Sequence, residues 1–207
     1  MVNAIKDIHR SGHAVKALED PPVARTLFGD VRWAWLWLIL RLYVGWEWLQ
    51  AGWGKILSPA WVGSKAGTAI TGFVSNALTK AAGDHPDVQD WYAWFLQNMV
   101  LAHPVFWSYF IAGGEVLVGL ALILGIFTGI AAFCGSFMNV NYLLAGTVST
   151  NPILFALATW LVLAWKTAGW WGLDRWILPA LGTPWSPGYV FHEDSSQGEP
   201  RVAHPSA

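Results

Sequence analysis

Residues 41–55 read RLYVGWEWLQAGWGK, and a second carboxylate lies within IAGGEVLVGLALILG at Glu115. Ionisable groups in such apolar surroundings cost several kcal/mol unless they are paired or protonated. Arg41, Glu47 and Glu115 are therefore the first candidates for chemistry, as groups that hold an anion or move protons. At about 100° per residue, Arg41, Gly45, Trp48, Gly52 and Lys55 share one helical stripe, and Glu47, Gln50, Ala51 and Gly54 share another. Two such stripes imply two close helix neighbours. Glycine on each admits a neighbouring backbone or leaves a hollow beside the charge. Glu115 has Ala112 and Gly119 on its own face, and an antiparallel neighbour is expected to bring it to the depth of Arg41. Lys55, at the end of its segment, is expected to snorkel. In SFMNVNYLLAG, Gly135, Asn139, Tyr142 and Gly146 share a stripe while Asn141 points elsewhere. Asparagines in hydrocarbon need partners. These residues extend a polar pocket, or else the charged pair does no more than fix helix register.

The elements that position them are long and apolar. Of 207 residues, 55% are hydrophobic, 12% are charged and 16 are tryptophan, with a mean hydropathy of +0.40. Soluble domains carry roughly a quarter charged residues. Four apolar runs, about 33–53, 104–124, 127–147 and 152–171, approach the roughly 20 residues that cross a bilayer as helix. The turn Gly125–Gly129 allows only an antiparallel neighbour. The expected fold is an all-α antiparallel four-transmembrane-helix bundle. Pro104 and the Ser149-Thr150-Asn151-Pro152 run mark helix starts, with hydroxyl or amide caps expected at the second.

Between the first two runs, the loop at about 56–103 carries two amphipathic patterns. Ile70, Phe73, Val74, Ala77 and Leu78 form one apolar face; Val88, Trp91, Tyr92, Phe95, Leu96, Met99 and Val100 form the other. Two short helices on the outer face are expected, roofing the bundle. Residues 1–30 read as a cytoplasmic N-terminal segment without a cleaved signal, 31–185 as the membrane domain, and 186–207 as a flexible tail. Lys6, Arg10, Lys16, Arg25 and Arg32 precede the first run, and Lys166, Arg175 and Arg201 lie at or beyond the end of the fourth, which places both termini in the cytoplasm of a multi-pass inner or plasma-membrane protein.

Several classes are disfavoured. A net charge of −1 without a basic stripe offers nothing to nucleic acid. The histidines, at 9, 13, 85, 103, 192 and 204, avoid the spans, so no axial pair for haem is evident; nor is a flavin or nucleotide loop, or a metal cluster. Cys134 alone supports no dithiol relay. A redox reaction would need a diffusible carrier such as quinone, or a cofactor on a partner.

RLYVGWEWLQAGWGK at 41–55, GGEVLVGLALILGIFTGIAAFCGSFMNVNYLLAGTVSTNP at 113–152 and AWKTAGWWGLDRWILPALGTPW at 164–185 resemble the DoxX/DoxD family of small four-span membrane proteins, over roughly residues 30–185. The family takes its name from a subunit of a membrane complex that oxidises thiosulfate to tetrathionate and passes the electrons to quinone. Other members are known as partners of soluble redox proteins. The resemblance implies redox-linked activity with quinone as substrate. Arg41, with Lys55 at the mouth, would hold the sulfur oxyanion, Glu115 or Glu47 would relay protons, and Trp48, Gln50, Asn139, Asn141 and Tyr142 would line the quinone pocket. The alternative is a non-catalytic anchoring or accessory subunit of a larger membrane redox or respiratory complex. Further subunits, or a second copy of the chain, are the expected partners alongside the bilayer.

Overall fold

The computed structural model describes residues 20–183, and these contain helices and no strand. Helix α1 (Pro22–Gly29) leads through a 3-10 turn (Val31–Trp33) into α2 (Ala34–Ile56). Next come α3 (Thr68–Thr79) and α4 (Asp90–Phe95), the latter continuing as a π-helix over Leu96–Val100. Then follow α5 (Pro104–Leu124), α6 (Thr128–Leu144), α7 (Asn151–Leu163), the single turn α8 (Trp165–Ala168) and α9 (Asp174–Ala180). The expected tail, 186–207, and most of the expected N-terminal segment lie outside the described residues.

Glycine sets the tightest contact, between α2 and α5. A Cβ on Gly52 would come 2.7 Å from the Val116 amide nitrogen, and one on Gly119 would come 2.6 Å from that of Leu49. Gly45 faces Leu122 and Ile123 across the same seam. Without side chains at these points the two backbones close on each other and gain dispersion contacts that larger residues would forbid. α6 pairs closely with α7, whereas α5 and α6 touch over a much smaller area. The bundle is two tight helix pairs with a looser seam between α5 and α6.

That packing stacks the interior in layers. Gly114 faces Met138 and Gly135 faces Val118, so α6 runs antiparallel to α5 with Asn139 at the height of Glu115 and Gly52. Below lie Trp48, Val118 and Gly135, and deeper still Val44, Leu122, Ala131 and Ala132, all buried. The last layer holds Arg41, Gly125, Thr128 and Asp174.

Four expectations change. Among the described residues, Pro104–Leu124 is the one helix long and apolar enough to cross a bilayer by length and composition. α2 has 23 residues but carries Arg41, Glu47 and Lys55. The fourth expected span, 152–171, stops as α7 at Leu163, and the chain turns through α8 towards α9. The hydroxyl or amide cap expected before α7 is not made: no side chain caps the helix, and Asn151 Nδ2 donates to the Thr147 carbonyl at 3.0 Å instead. The second stripe of α2 has no neighbour, since Gln50, Ala51 and Gly54 are exposed.

Both loop helices form where the patterns place them. Ile70, Val74 and Ala77 are buried on α3, and Val88, Tyr92, Leu96 and Val100 pack against them. Residues 92, 96 and 100 are the buried ones; Trp91, in the α-helical part, faces outward, and the wider π-helical turn leaves Met99 outward too, although the 3.6-residue pattern places both inside.

Gly119→Ala should overpack the α2–α5 seam and lower stability by about 1–3 kcal/mol. Gly113→Ala, where a Cβ meets nothing within 4 Å, should be near neutral. Unfolding in detergent by denaturant titration checks both.

Candidate functional site: a buried carboxylate beside an apolar cavity

Glu115 projects from the middle of α5 and is 1% exposed. Gly52 lets it lie against α2, and one turn on, Lys55 Nζ donates to Glu115 Oε2 at 2.6 Å. From α6, the Tyr142 hydroxyl donates to Oε1 at 2.6 Å. Both carboxylate oxygens thus have donors, one of them charged, as a buried ionised acid requires. The Lys55 side chain is 19% exposed and its ammonium lies 5.1 Å from the Trp61 ring centroid, so the pair reaches towards the surface at its lysine end. Lys55 therefore does not simply snorkel; it turns inward to the carboxylate.

Arg41 lies at the other end of the same helix face. It is 14 residues from Lys55, about 21 Å along a helix. The antiparallel register puts Gly125, not Glu115, opposite Arg41. The guanidinium packs between Gly125 and Gly172, and Nη2 donates to the Trp171 carbonyl at 3.2 Å. Asp174 comes to the same level, its amide donating to the Gly125 carbonyl at 2.8 Å. Asp174 is buried and accepts from the Phe127 and Thr128 amides at 2.6 and 2.8 Å, capping α6 and holding Phe127 at φ 46°. The structure thus separates Arg41 from both Glu115 and Lys55, and the shared anion clamp expected of Arg41 and Lys55 is not assembled.

Of the remaining expected residues, Trp48 and Asn139 are buried near Glu115, Glu47 is half-buried and Gln50 is exposed on the outward face of α2. Asn141 turns away from Glu115, as its position predicts. Its backbone carbonyl and Oδ1 accept from the Tyr92 hydroxyl at 2.9 and 3.1 Å, tying the loop helix to α6. Lys80 Nζ adds a second tie, donating to the Gly146 carbonyl at 2.6 Å.

Between these ties and the loose α5–α6 seam lies an apolar cavity of about 600 Å³. Its walls include Phe73, Leu96, Trp107, Phe133 and Met138, with Tyr92, Asn141 and Tyr142 among the lining residues that carry polar groups. The π-helix forms part of the roof, through Leu96 and Val100. Leu117, Phe133 and Phe137 line it yet are largely exposed, so it opens sideways between α5 and α6. Cavities of this size suit small-molecule ligands. Tyr142 belongs to both features: its ring lines the cavity and its hydroxyl holds Glu115.

The DoxX family model matches residues 36–147, more than half of the chain. The chain belongs to the DoxX family. It is accordingly a membrane protein whose surface meets lipid, and the matched DoxX region contains Arg41, Lys55, Glu115, Asn139 and Tyr142. Neither the curated proteins nor the solved structures compared with this DoxX chain match it. No cluster of metal-ligating side chains exists among its described residues.

Sequence reasoning missed Asp174 and Tyr92 as organising groups, and paired the wrong cation with Glu115. A signal for the pairing was present: aligning Gly45, Gly52 and Gly119 on one seam sets a register that brings Lys55 near Glu115.

Lys55→Met should destabilise the protein by about 3–5 kcal/mol by leaving a buried charge unpaired. Adding Glu115→Gln should recover much of that loss, as a double-mutant cycle of detergent unfolding would show. Burial pushes the Tyr92 phenol up to about 12 from an ordinary 10.0. The unfolded chain loses this proton first, so stability should fall as pH rises from 10 to about 12 and change little from this group below 10. Tyr92→Phe should flatten that part of a stability–pH curve.

Proposed function

We propose that this chain is a redox-linked membrane subunit that binds a quinone in the α5–α6 cavity and exchanges protons with it through Tyr142, Glu115 and Lys55. The observation that carries this reading is the double position of Tyr142. An apolar ring and isoprenoid tail match the lining, the sideways opening suits a carrier dissolved in the bilayer, and the phenol offers a hydrogen bond and a proton at the cavity wall. The family resemblance adds the electron source: a sulfur oxyanion such as thiosulfate. Two thiosulfate dianions joined through a new S–S bond give tetrathionate and two electrons, and the quinone takes these with two protons to become quinol. Protons travel from the Lys55 end to Glu115 and on to Tyr142. The cytoplasmic placement of both termini and four membrane crossings are part of this proposal; the Lys55 end is then the outer one.

A second reading, an accessory subunit without its own turnover, is favoured by the completeness of the Lys55–Glu115–Tyr142 contacts. Both carboxylate oxygens are already satisfied, as a pair that only fixes helix register would have them.

Purified protein in nanodiscs, given a short-chain quinone and thiosulfate, separates the two. Glu115→Gln and Tyr142→Phe should each lower thiosulfate-dependent quinone reduction by roughly 10²-fold. Quenching of cavity tryptophan fluorescence by quinone should change only a few-fold. Full turnover in both variants contradicts the relay. Absence of both quenching and turnover in the natural sequence supports the accessory subunit.

A further inference from the structure

Buried polar atoms in folded proteins nearly always have a hydrogen-bond partner, and at membrane depth an unsatisfied one costs several kcal/mol. Among the described residues, the buried side-chain atoms that no other group of the chain satisfies are Trp48 Nε1, Ser136 Oγ, both polar atoms of the Asn139 amide, Thr128 Oγ1, and Arg41 Nε and Nη1. Every one belongs to α2 or α6. Asn139 is 0%, Trp48 3% and Ser136 8% exposed.

Their heights are informative. Asn139 lies level with Glu115, and Ser136 and Trp48 lie one turn deeper, where the indole nitrogen would stand 2.9 Å from a Cβ on Gly135. Below them Val44, Leu122, Ala131 and Ala132 make a buried apolar layer. Arg41 and Thr128 sit on the far side, beside Asp174. Polar groups thus run from the surface at Lys55 through Glu115 to Asn139, Ser136 and Trp48, and there they end.

We infer that this column is an aqueous half-channel: water enters past Lys55, hydrogen-bonds Asn139, Ser136 and Trp48, and gives Glu115 proton access from the Lys55 end alone, with the Val44–Leu122–Ala131–Ala132 layer as the seal. Water at such a site needs two to four polar partners, which the Asn139 amide, the Ser136 hydroxyl and the Trp48 indole provide in donor and acceptor form. Glycine at 135 lets the indole lie against the α6 backbone, where a Cβ would come 2.9 Å from its nitrogen. The half-channel does not depend on which carrier occupies the cavity, and it makes any proton exchange at Glu115 one-sided.

Two measurements test it. In a Cys134→Ser background, Ser136→Cys, Asn139→Cys and Ala132→Cys are each treated in sealed vesicles with a membrane-impermeant thiosulfonate added to one side at a time. Ser75→Cys, on the exposed face of α3, marks the Lys55 side. Because only a hydrated thiolate reacts, positions 136 and 139 should react from the marker's side about tenfold or more faster than 132. Reaction from the opposite side overturns the inference. The natural sequence supplies the second measurement, free of any folding defect. Hydroxyl-radical labelling in water should oxidise Trp48 well above Trp37, which is as buried but lies one turn beyond Arg41 on α2 and donates to the Leu27 carbonyl at 3.0 Å. Trp48 labelled no more than Trp37 overturns the half-channel whatever the variants do. Neither result requires quinone turnover, so failure of the redox reading would leave both intact.

Discussion

A carboxylate at the centre of α5 has to be neutralised, and much of the bundle follows from how Glu115 is. In low dielectric its charge is tolerable only with a cation and a hydrogen-bond donor in direct contact. Lys55 reaches it because Gly52 lets α2 lie against α5 at that height, and Gly119 and Gly45 continue the contact along the same seam. Tyr142 reaches it because α6 returns antiparallel after the short turn at Gly125. The register of three helices is thereby tied to one side chain.

The opposite end uses another solution to the same problem. Arg41 and Asp174 lie in one layer, but neither spends its hydrogen bonds on the other. Asp174 caps α6 through two amides, and Arg41 meets a backbone carbonyl between two glycines. Between the two polar ends lies a layer of small and branched apolar side chains. The looseness of the α5–α6 seam, absent from the α2–α5 and α6–α7 pairs, leaves room for the cavity that Tyr142 joins to Glu115.

Much of this was legible in the sequence. Periodicity gave the all-helical class and the two loop helices, and the apolar surroundings of Arg41 and Glu115 marked both as buried. Of the residues expected around the pocket, Tyr142 and Asn141 line the cavity, whereas Trp48, Gln50 and Asn139 do not. Other features were not legible, for physical reasons. Pairing Arg41 with Glu115 assumed equal depth, whereas register is set by where glycines allow backbones to meet, a property of two segments together. Lys55 read as a snorkelling residue because a lysine at a helix end commonly snorkels, and only a neighbouring carboxylate within reach turns it inward. The end of α7 at Leu163 was hidden because the apolar run continues through Trp165, in the short helix α8, and Trp170 and Trp171, in the turn that follows it. Asp174 gave no periodic signal, since its partners are backbone amides 46 and 47 residues away. The π-helix likewise changes the period itself, so a 3.6-residue pattern misassigns Met99.

The central claim is that the cavity beside Tyr142 receives a quinone. Irradiation of the membrane-embedded protein with a photoreactive quinone analogue, followed by peptide mapping, tests it most directly. The account predicts labels on the segments that line the cavity, 92–100 and 133–142, suppressed by excess unlabelled quinone. Labels confined to the Arg41 end, or labels that excess quinone does not displace, would contradict it.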